Sequence, residues 1–453
     1  MLEKLFHLKE RGTNVKTEIA AGLTTFMTMA YILAVNPSVL SEAGMDKTAV
    51  LLATCLASFI GTVCMALLAN LPFTLSAGMG LNAYFTYTVV RGMGVPWQTA
   101  LLAVFVEGII FILLSVTKAR EAIFNCIPIT LKHAVSVGIG LFICFIGLQN
   151  AGLSVDSATL VKLVDFRGSF ATGGIQALLA VIGVLLTAVL YIKKVPGSIL
   201  FGILGTWLLG ILCQLTGLYV PDAAAGYYSL LPTFTMTDFS ALGNTFGQCF
   251  HFDMRNTGVL NFAVIVFSFL FVDLFDTLGT LIGVSTKAGM LDKDGRLPGI
   301  RPALLSDAVA TTAGAVLGTS TTSTFVESSA GVAAGGRTGL TALTTAVLFL
   351  VSVFLAPIFT AIPAFATAPA LILVGFLMFS NVANIRFSED NYAEVIPAYL
   401  CIIAMPLFYS VSEGISLGVI SYLVLGICTG RAKKINPVMY VIGVLFVLKY
   451  VFL

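Results

Sequence analysis

The sequence predicts an all-α polytopic membrane protein with about 14 transmembrane segments, arranged as 7+7 inverted repeats. Of its 453 residues, 58% are hydrophobic and only 10% are charged, and the mean hydropathy is +1.00. A soluble domain carries about 25% charged residues, so this composition excludes a water-soluble fold. Apolar runs of about 20 residues recur along the chain, and each is long enough to cross the hydrocarbon layer.

The apolar runs define the two predicted repeats, which cover residues 1–217 and 258–429. The first seven predicted spans lie at 17–35, 48–69, 74–90, 98–117, 131–150, 173–192 and 197–217. The second seven lie at 258–281, 303–318, 326–336, 338–360, 368–381, 393–410 and 413–429.

Two segments fall outside the predicted repeats. Residues 218–257 contain the turn-forming Pro221, Pro232, Gly243 and Gly247 and are predicted to be an outer loop that joins the halves. Residues 430–453 form a hydrophobic tail, of which 436–452 either spans the membrane or lies at its interface.

Basic residues are concentrated on one side of these spans. Of the 24 Lys and Arg residues, the predicted outer loops hold only Lys47, Arg91, Lys162, Arg167 and Arg255, and the tail holds Lys449. Loops on the cytoplasmic side of a membrane carry an excess of Lys and Arg. We therefore expect a multi-pass protein of the inner or plasma membrane with a cytoplasmic N-terminus.

Short motifs recur in the same order in both halves. Residues 76–80 align with 329–333, 127–128 with 362–363, and Gly140, Gly202 and Gly210 with Gly375, Gly418 and Gly426. An odd number of spans per repeat inverts the second copy in the membrane, an architecture typical of secondary transporters.

Spans 3 and 10 are the poorest helix formers of the set. Span 3 contains NLPFTLSAGMGLN at 70–82, and span 10 contains GTSTTSTFVESSAG at 318–331. Non-helical backbone at membrane depth survives only inside protein or beside a watery cavity. Two such segments in corresponding places predict short extended stretches and a binding site. The alternative is close helix packing by small residues.

Carboxylates occur near these segments, where no basic residue shares their spans. Asp273 and Asp276 lie on one face of span 8, Asp307 lies in span 9, Glu327 opens span 10, and Glu107 lies in span 4. An ionised carboxylate in the membrane is costly, so a proton or another cation is the natural partner and an anionic substrate is disfavoured. Asp307 could instead brace the cytoplasmic approach, and Glu107 suits a packing hydrogen bond.

No motif points to another chemistry. The eight Cys and three His show no metal-ligand spacing, so we expect no metal site and no cofactor, and we find no nucleophile paired with a base. The scattered basic residues do not indicate a nucleic-acid partner, and a channel remains a less favoured alternative.

Four motifs make the chain resemble the AzgA-type purine permeases of the nucleobase–cation symporter-2 family, which are related to uracil and xanthine permeases. They are KTEIAAGLTTFMTMAYILAVNP at 16–37, FTLSAGMGLNAYF at 73–85, VDLFDTLGT at 272–280 and TTSTFVESSAGV at 321–332. The resemblance implies a core domain of spans 1–4 (17–117) and 8–11 (258–360), and a gate domain of spans 5–7 (131–217) and 12–14 (368–429).

The resemblance also implies a site in which extended pieces of spans 3 and 10 hold a nucleobase beside span 8. The implied substrate-binding residues are Glu327, Asp273, Asp276, Met79, Gly78, Ala77, Thr74, Ser328 and Phe325, and the implied proton-coupling residues are Asp276, Asp273 and Asp307. Either Asp273 or Asp276 could grip the base while the other handles the proton.

The predicted function is proton-coupled import of a purine by alternating access, with guanine or hypoxanthine favoured and adenine an alternative. Uracil, xanthine or an inorganic anion on the same fold are the rival substrates. The sequence leaves open the choice of H⁺ or Na⁺ as coupling ion, the stoichiometry and a homodimeric state.

Overall fold

Apolar helices form most of the computed structural model, because a backbone in lipid must satisfy its own hydrogen bonds. The structure describes residues 2–116, 126–157, 160–168, 170–222, 227–232, 236–254, 257–290, 297–388 and 391–452. Within these residues, nine helices are long and apolar enough to cross a membrane, and shorter apolar helices lie at Val259–Leu274, Tyr392–Leu407 and Pro437–Leu448. Arg255 of the predicted outer loops, and the basic residues Lys118, Arg120, Lys293 and Arg296, lie outside the described residues.

The first repeat contains all seven predicted spans. Span 1 consists of helices Val15–Met29 and Ile32–Ser41, and span 2 of helix Lys47–Cys64 with a π-helical end, Met65–Ala69. Span 3 begins with strand β1 (Leu75–Ala77) and continues as helices Met79–Ala83 and Tyr84–Gly92. Spans 4 to 7 are Trp97–Val116, Ile129–Asn150, Phe170–Gly174 with Ile175–Ile192, and Ser198–Leu215.

The second repeat follows the same plan. Span 8 is Val259–Ala288, which extends beyond the predicted end at 281, and span 9 is Ile300–Leu317. Span 10 consists of strand β4 (Thr322–Thr324) and helix Ser328–Ala333. Span 11 is Gly339–Ser352 with Val353–Leu355 and Ala356–Thr360, and spans 12 to 14 are Ala364–Phe379 with Ser380–Asn384, Tyr392–Leu407 and Val411–Cys428.

The connecting segments contain structure that the sequence did not predict. A β-hairpin of β2 (Ser154–Ser157) and β3 (Leu160–Leu163) joins spans 5 and 6, so the chain is not purely helical. The segment 218–257, predicted as a loop, contains 3-10 helices Phe239–Asn244 and Gln248–Phe250.

Strands β1 and β4 pair antiparallel, with Leu75 opposite Thr324, Ser76 opposite Ser323 and Ala77 opposite Thr322. The predicted extended stretches of spans 3 and 10 are therefore confirmed. The predicted alignment of 76–80 with 329–333 was wrong in register, because it sets the end of strand β1 against helix Ser328–Ala333 and not against strand β4. Runs of Ser, Ala and Gly recur too often in these spans to fix a register.

Contacts elsewhere support the repeat. Gly140 of span 5 and Gly375 of span 12 face each other so closely that a Cβ on either would lie within 2.7 Å of the other's carbonyl oxygen. Spans 5 and 12 both begin directly after a proline, Pro128 and Pro363. Along the chain, Pro128 precedes Gly140 and Pro363 precedes Gly375, which is the order predicted for the two repeats.

The described helices pack as two groups. In one group, span 9 packs against spans 2 and 4, and span 11 packs against spans 1 and 2. In the other, span 5 packs against spans 12 and 13, and span 6 packs against spans 7 and 12. We call these sets the core group (spans 1–4 and 8–11) and the gate group (spans 5–7 and 12–14). Their role as separately moving domains stays a prediction.

The hydrophobic tail is a helix, Pro437–Phe452, that runs beside span 14. Near its start, the Tyr440 hydroxyl donates to the Ala432 carbonyl (3.0 Å), and near its end the Tyr450 hydroxyl donates to the Glu413 carboxylate. Glu413 lies in the first turn of span 14 and Ala432 follows its last turn. The tail is therefore antiparallel to span 14 along nearly its full length.

Candidate binding site

The centre of the candidate site is the β1–β4 pair, where backbone replaces helix inside the core group. The Gly78 N–H donates to the Thr321 carbonyl and the Phe325 N–H donates to the Thr74 carbonyl, both at 3.0 Å, so the ladder continues beyond the strands. All six strand residues are buried. The polar backbone at this depth is therefore enclosed by protein, as its survival requires.

Two threonines close the outer edges of this pair. Thr62 of span 2 bonds both backbone groups of Leu75, at 3.0 and 3.2 Å, and Thr311 of span 9 bonds both backbone groups of Thr322, at 3.0 and 3.3 Å. In this antiparallel register, Ala77 also directs its backbone N–H and C=O away from the partner strand. The backbone groups of Ala77 therefore lie outside the ladder.

Glu327 lies between β4 and the short helix that follows it. The Tyr31 hydroxyl of span 1 donates to Glu327 Oε1 at 2.7 Å. Tyr31 is buried, whereas Glu327 is partly exposed. The hydrogen bond fixes one carboxylate oxygen, and the other oxygen keeps its capacity to accept from a ligand.

Asp276 approaches the strand pair from span 8. The Ser323 hydroxyl of β4 donates to Asp276 Oδ2 at 2.8 Å. A Cβ on Gly78 would lie 3.4 Å from the same oxygen and 2.8 Å from the Ser323 hydroxyl oxygen. Asp276 is partly exposed and lies within electrostatic range of Glu327. Asp276 and Glu327 thus flank one accessible region at the ends of the strands.

Asp273 has different neighbours from Asp276, although the two share a helix. The Thr277 hydroxyl lies 2.9 Å from Asp273 Oδ1 and 3.0 Å from Asp307 Oδ1. Both carboxyl groups are fully buried, so neither faces the accessible region. Asp307 thus lies buried against span 8, and the choice between proton coupling and bracing of the cytoplasmic approach stays a prediction.

The remaining predicted residues surround the strand pair. The Thr74 N–H donates to the Ser328 hydroxyl at 3.0 Å, which ties span 3 to the short helix of span 10. Met79 and Phe325 are only 7% and 6% exposed. The Thr321 hydroxyl donates to Glu107 Oε2 at 2.8 Å, so Glu107 makes the expected packing hydrogen bond.

Sequence reasoning missed several polar residues at the site. Tyr31, Ser323 and Thr277 bond the acidic side chains. A buried network joins Asn36 to Asn82 (2.6 Å), Thr54 and Thr319, and Ser320 donates to Asn82. The signal for the network was the pair of Asn residues in two motifs, 16–37 and 73–85. Hydroxyl residues are too frequent in these spans to single out Ser323 or Thr277.

Comparison of sequences places the chain beside known transport proteins. A family model described as the Permease family matches residues 16–432. A putative permease of Methanocaldococcus jannaschii is 47% identical and covers 100% of this chain and 98% of that protein. The guanine/hypoxanthine permease PbuO of Bacillus subtilis is 45% identical, with 98% of each chain covered. The adenine permease AdeP of Escherichia coli is 40% identical, with 100% of this chain and 96% of that protein covered.

Comparison of structures identifies the fold. The transmembrane domain of a cyanobacterial bicarbonate transporter, BicA, matches with a TM-score of 0.62 at 15% identity, over 90% of this chain and 97% of that domain. That fold consists of 7+7 inverted repeats, which confirms the predicted fold class.

Proposed function

Because this multi-pass membrane protein belongs to the Permease family, of the nucleobase–cation symporter-2 type, we propose that it imports a purine nucleobase by proton symport. The full-length similarity to a guanine/hypoxanthine permease and to an adenine permease supports a purine substrate. Guanine and hypoxanthine are favoured, because the guanine/hypoxanthine relative is the more similar of the two at 45% against 40% identity.

The observation that carries this proposal is the pair of partly exposed carboxylates, Asp276 and Glu327, on either side of the strand ends. A carboxylate accepts N–H donors, and guanine presents two neighbouring donors, N1–H and the 2-amino group. Ser323 and Tyr31 already hold one oxygen of each carboxylate, so the acceptors are fixed before the base arrives. Backbone groups of Ala77, beside Gly78 and Met79, would read the opposite edge of the base.

The acidic site opposes the rival with an anionic substrate. BicA, a bicarbonate transporter, shares the fold. Here, however, the accessible region is flanked by Asp276 and Glu327, and Asp273, Asp307 and Glu107 are buried in the same group of helices. An anion would meet these carboxylates with like charge. A neutral base with N–H donors, accompanied by a proton, suits the site better.

The contacts between the two groups support alternating access. With a cytoplasmic N-terminus, the side-chain hydrogen bonds that join core and gate among the described residues lie in the outer half. They are Thr88 to the Tyr409 carbonyl (3.3 Å), Asn150 to Tyr87 (3.4 Å), Lys47 to the Ile362 carbonyl (3.1 Å) and Ser268 with Ser412 (2.9 Å). These bonds support a conformation that is closed at the outer end, and in the proposed mechanism import requires them to break.

The test is uptake of radiolabelled guanine, hypoxanthine, adenine and uracil in cells that lack their own permeases, with and without a protonophore. We expect saturable purine uptake that the protonophore abolishes. Failure to take up any purine, or uptake of uracil alone, would overturn the purine assignment.

Glu327→Gln tests the site within the same assay. It removes the negative charge but preserves size, so we expect purine uptake to fall by about tenfold or more, the loss expected for one hydrogen bond to a charged group. The matched control is Glu394→Gln, since Glu394 accepts from Thr130 inside the gate group and should leave uptake near the wild-type rate. Wild-type uptake by Glu327→Gln would refute the role of Glu327.

A further inference from the structure

One hydroxyl group lies between two fully buried carboxyl groups, on the side of span 8 that does not face the accessible region. Thr277 Oγ1 is 2.9 Å from Asp273 Oδ1 on the same helix and 3.0 Å from Asp307 Oδ1 on span 9. The three residues are each 0% exposed. The hydroxyl thus joins the acidic groups of two helices at a depth that water does not reach.

The protons available to these groups limit how they can bond. A threonine hydroxyl has one proton to donate, and an ionised carboxylate can only accept. If both Asp273 and Asp307 were ionised, the single hydroxyl proton would have to serve both contacts, so at most one of them could be a full, linear hydrogen bond. Both contacts are full hydrogen bonds when one carboxyl group carries a proton and donates it to the Thr277 oxygen.

We infer that Asp273, Thr277 and Asp307 hold one proton in common and that Thr277 passes it between the two carboxyl groups. When the acid on Asp307 gives its proton to the Thr277 oxygen, the original hydroxyl proton moves to Asp273. One O–H bond breaks and one forms at each step, so the total charge is unchanged. The inference rests on the proposed proton symport and assigns Thr277 as the residue that positions the coupling proton.

The charges around the pair favour retention of that proton. Asp276 on span 8 lies within electrostatic range of Asp307. Glu107 lies on span 4, which packs against span 9, and Glu327 follows β4. Each of these carboxylates, where ionised, raises the cost of a second negative charge in the pair.

The test variant is Thr277→Val, which keeps the shape of the side chain and removes the hydroxyl. It separates proton coupling from substrate binding. Gradient-driven accumulation of labelled guanine requires the proton to be bound and released, whereas exchange of guanine between preloaded vesicles and the medium does not. We expect accumulation to fall by about tenfold or more, as for loss of a hydrogen bond to a charged group, with exchange near the wild-type rate. Thr277→Ser keeps the hydroxyl and should restore accumulation.

The outcomes distinguish the inference from the proposed function. Wild-type accumulation with an unchanged pH profile in Thr277→Val, or equal loss of exchange and accumulation at normal protein level, would overturn the inference alone. If wild-type protein accumulates guanine without regard to the proton gradient, the proposed symport is wrong and the inference with it.

Infrared spectroscopy of the purified wild-type protein tests for the shared proton without a transport assay. A shared proton predicts a carboxylic-acid C=O band that is lost in Asp307→Asn or shifted in Thr277→Val. Absence of such a band in the wild-type protein would contradict the inference.

Discussion

At the scale of single residues, the closest constraint on the site is the missing side chain of Gly78. The space that a Cβ would need is taken by the Ser323 hydroxyl at 2.8 Å, with Asp276 Oδ2 at 3.4 Å. The backbone of span 3 can therefore lie directly against the carboxylate of span 8. Gly78 thus sets the distance between the strand pair and the acidic group that we propose for recognition of the base.

Gly78→Ala should weaken substrate binding, because the added methyl group displaces the Ser323 hydroxyl that holds Asp276. Loss of a hydrogen bond to a charged group costs about 1.5–3 kcal/mol, so we expect the KM for guanine to rise by about tenfold or more. The control is Gly243→Ala, since nothing lies within 4 Å of its Cβ position. An unchanged KM in Gly78→Ala would show that the contact is not needed for binding.

The acidic residues of the site were predictable from the sequence, and their partners were not. Asp276 and Glu327 are conspicuous because charge in an apolar run is costly. The sequence could not tell Asp273 from Asp276, since both lie on one helical face. Their difference depends on what the neighbouring spans present, namely Ser323 to Asp276 and Thr277 with Asp307 to Asp273.

At the scale of elements, the tail helix Pro437–Phe452 has the contacts of a further membrane span. Its 16 residues reach about 24 Å at 1.5 Å per residue, close to the thickness of the hydrocarbon layer. Phe446 packs on Phe267 and Phe271 of span 8, with ring centroids 5.3 and 5.6 Å apart. The tail thus contacts both span 14 of the gate group and span 8 of the core group.

We expect the end of this helix to lie on the outer side of the membrane, because Tyr450 bonds Glu413 at the predicted outer end of span 14. An alkaline phosphatase fused after Phe452 should be active, and a green fluorescent protein at the same point should be dark. Fusions after Gly430, before the helix, should give the opposite pair of results. Fluorescence at both points would show that the tail lies along the inner surface.

The elements also show where patterns in the sequence are sufficient. Hydropathy predicted all the spans, since lipid imposes length and apolarity on each of them. Hydropathy could not decide whether the tail spans the membrane, because its apolar run is short. It also could not predict the β2–β3 hairpin, which lies in a polar connection. The hairpin depends on cross-strand pairing, which leaves no signal in hydropathy.

At the scale of the whole molecule, the two groups of helices meet through a cluster of aromatic rings at the predicted outer end. Tyr409, between spans 13 and 14, packs edge-on against Tyr87 of the core group at 5.8 Å and against Phe142 of the gate group at 5.3 Å. Its hydroxyl donates to Gln149 at 2.9 Å. The division into two groups was implied by family resemblance, whereas this contact surface required the folded structure.

A disulfide across this surface should stop transport if core and gate must separate there. Thr88 and Tyr409 meet at 3.3 Å between the Thr88 hydroxyl and the Tyr409 carbonyl, so we replace both by Cys in a protein whose eight native Cys are changed to Ala. Oxidation should abolish guanine uptake and reduction should restore it. The control pair is Ser136→Cys with Asn381→Cys, whose native side chains bond at 3.0 Å inside the gate group. Uptake that persists in the oxidised Thr88–Tyr409 pair, with the cross-link verified, would exclude opening at this surface.

The strand pair at the centre of the site has a consequence for synthesis of the chain. Each half of the sequence supplies one strand, and neither strand has a partner within its own half. Until Thr322–Thr324 leave the ribosome, the backbone of Leu75–Ala77 has no ladder to complete, at a cost of several kcal/mol for each bare group in hydrocarbon. The first half must therefore wait in the membrane, incompletely folded, while the 244 residues between Ala77 and Thr322 are translated. A site shared between the halves thus makes assembly of this protein a late event, governed by the arrival of span 10.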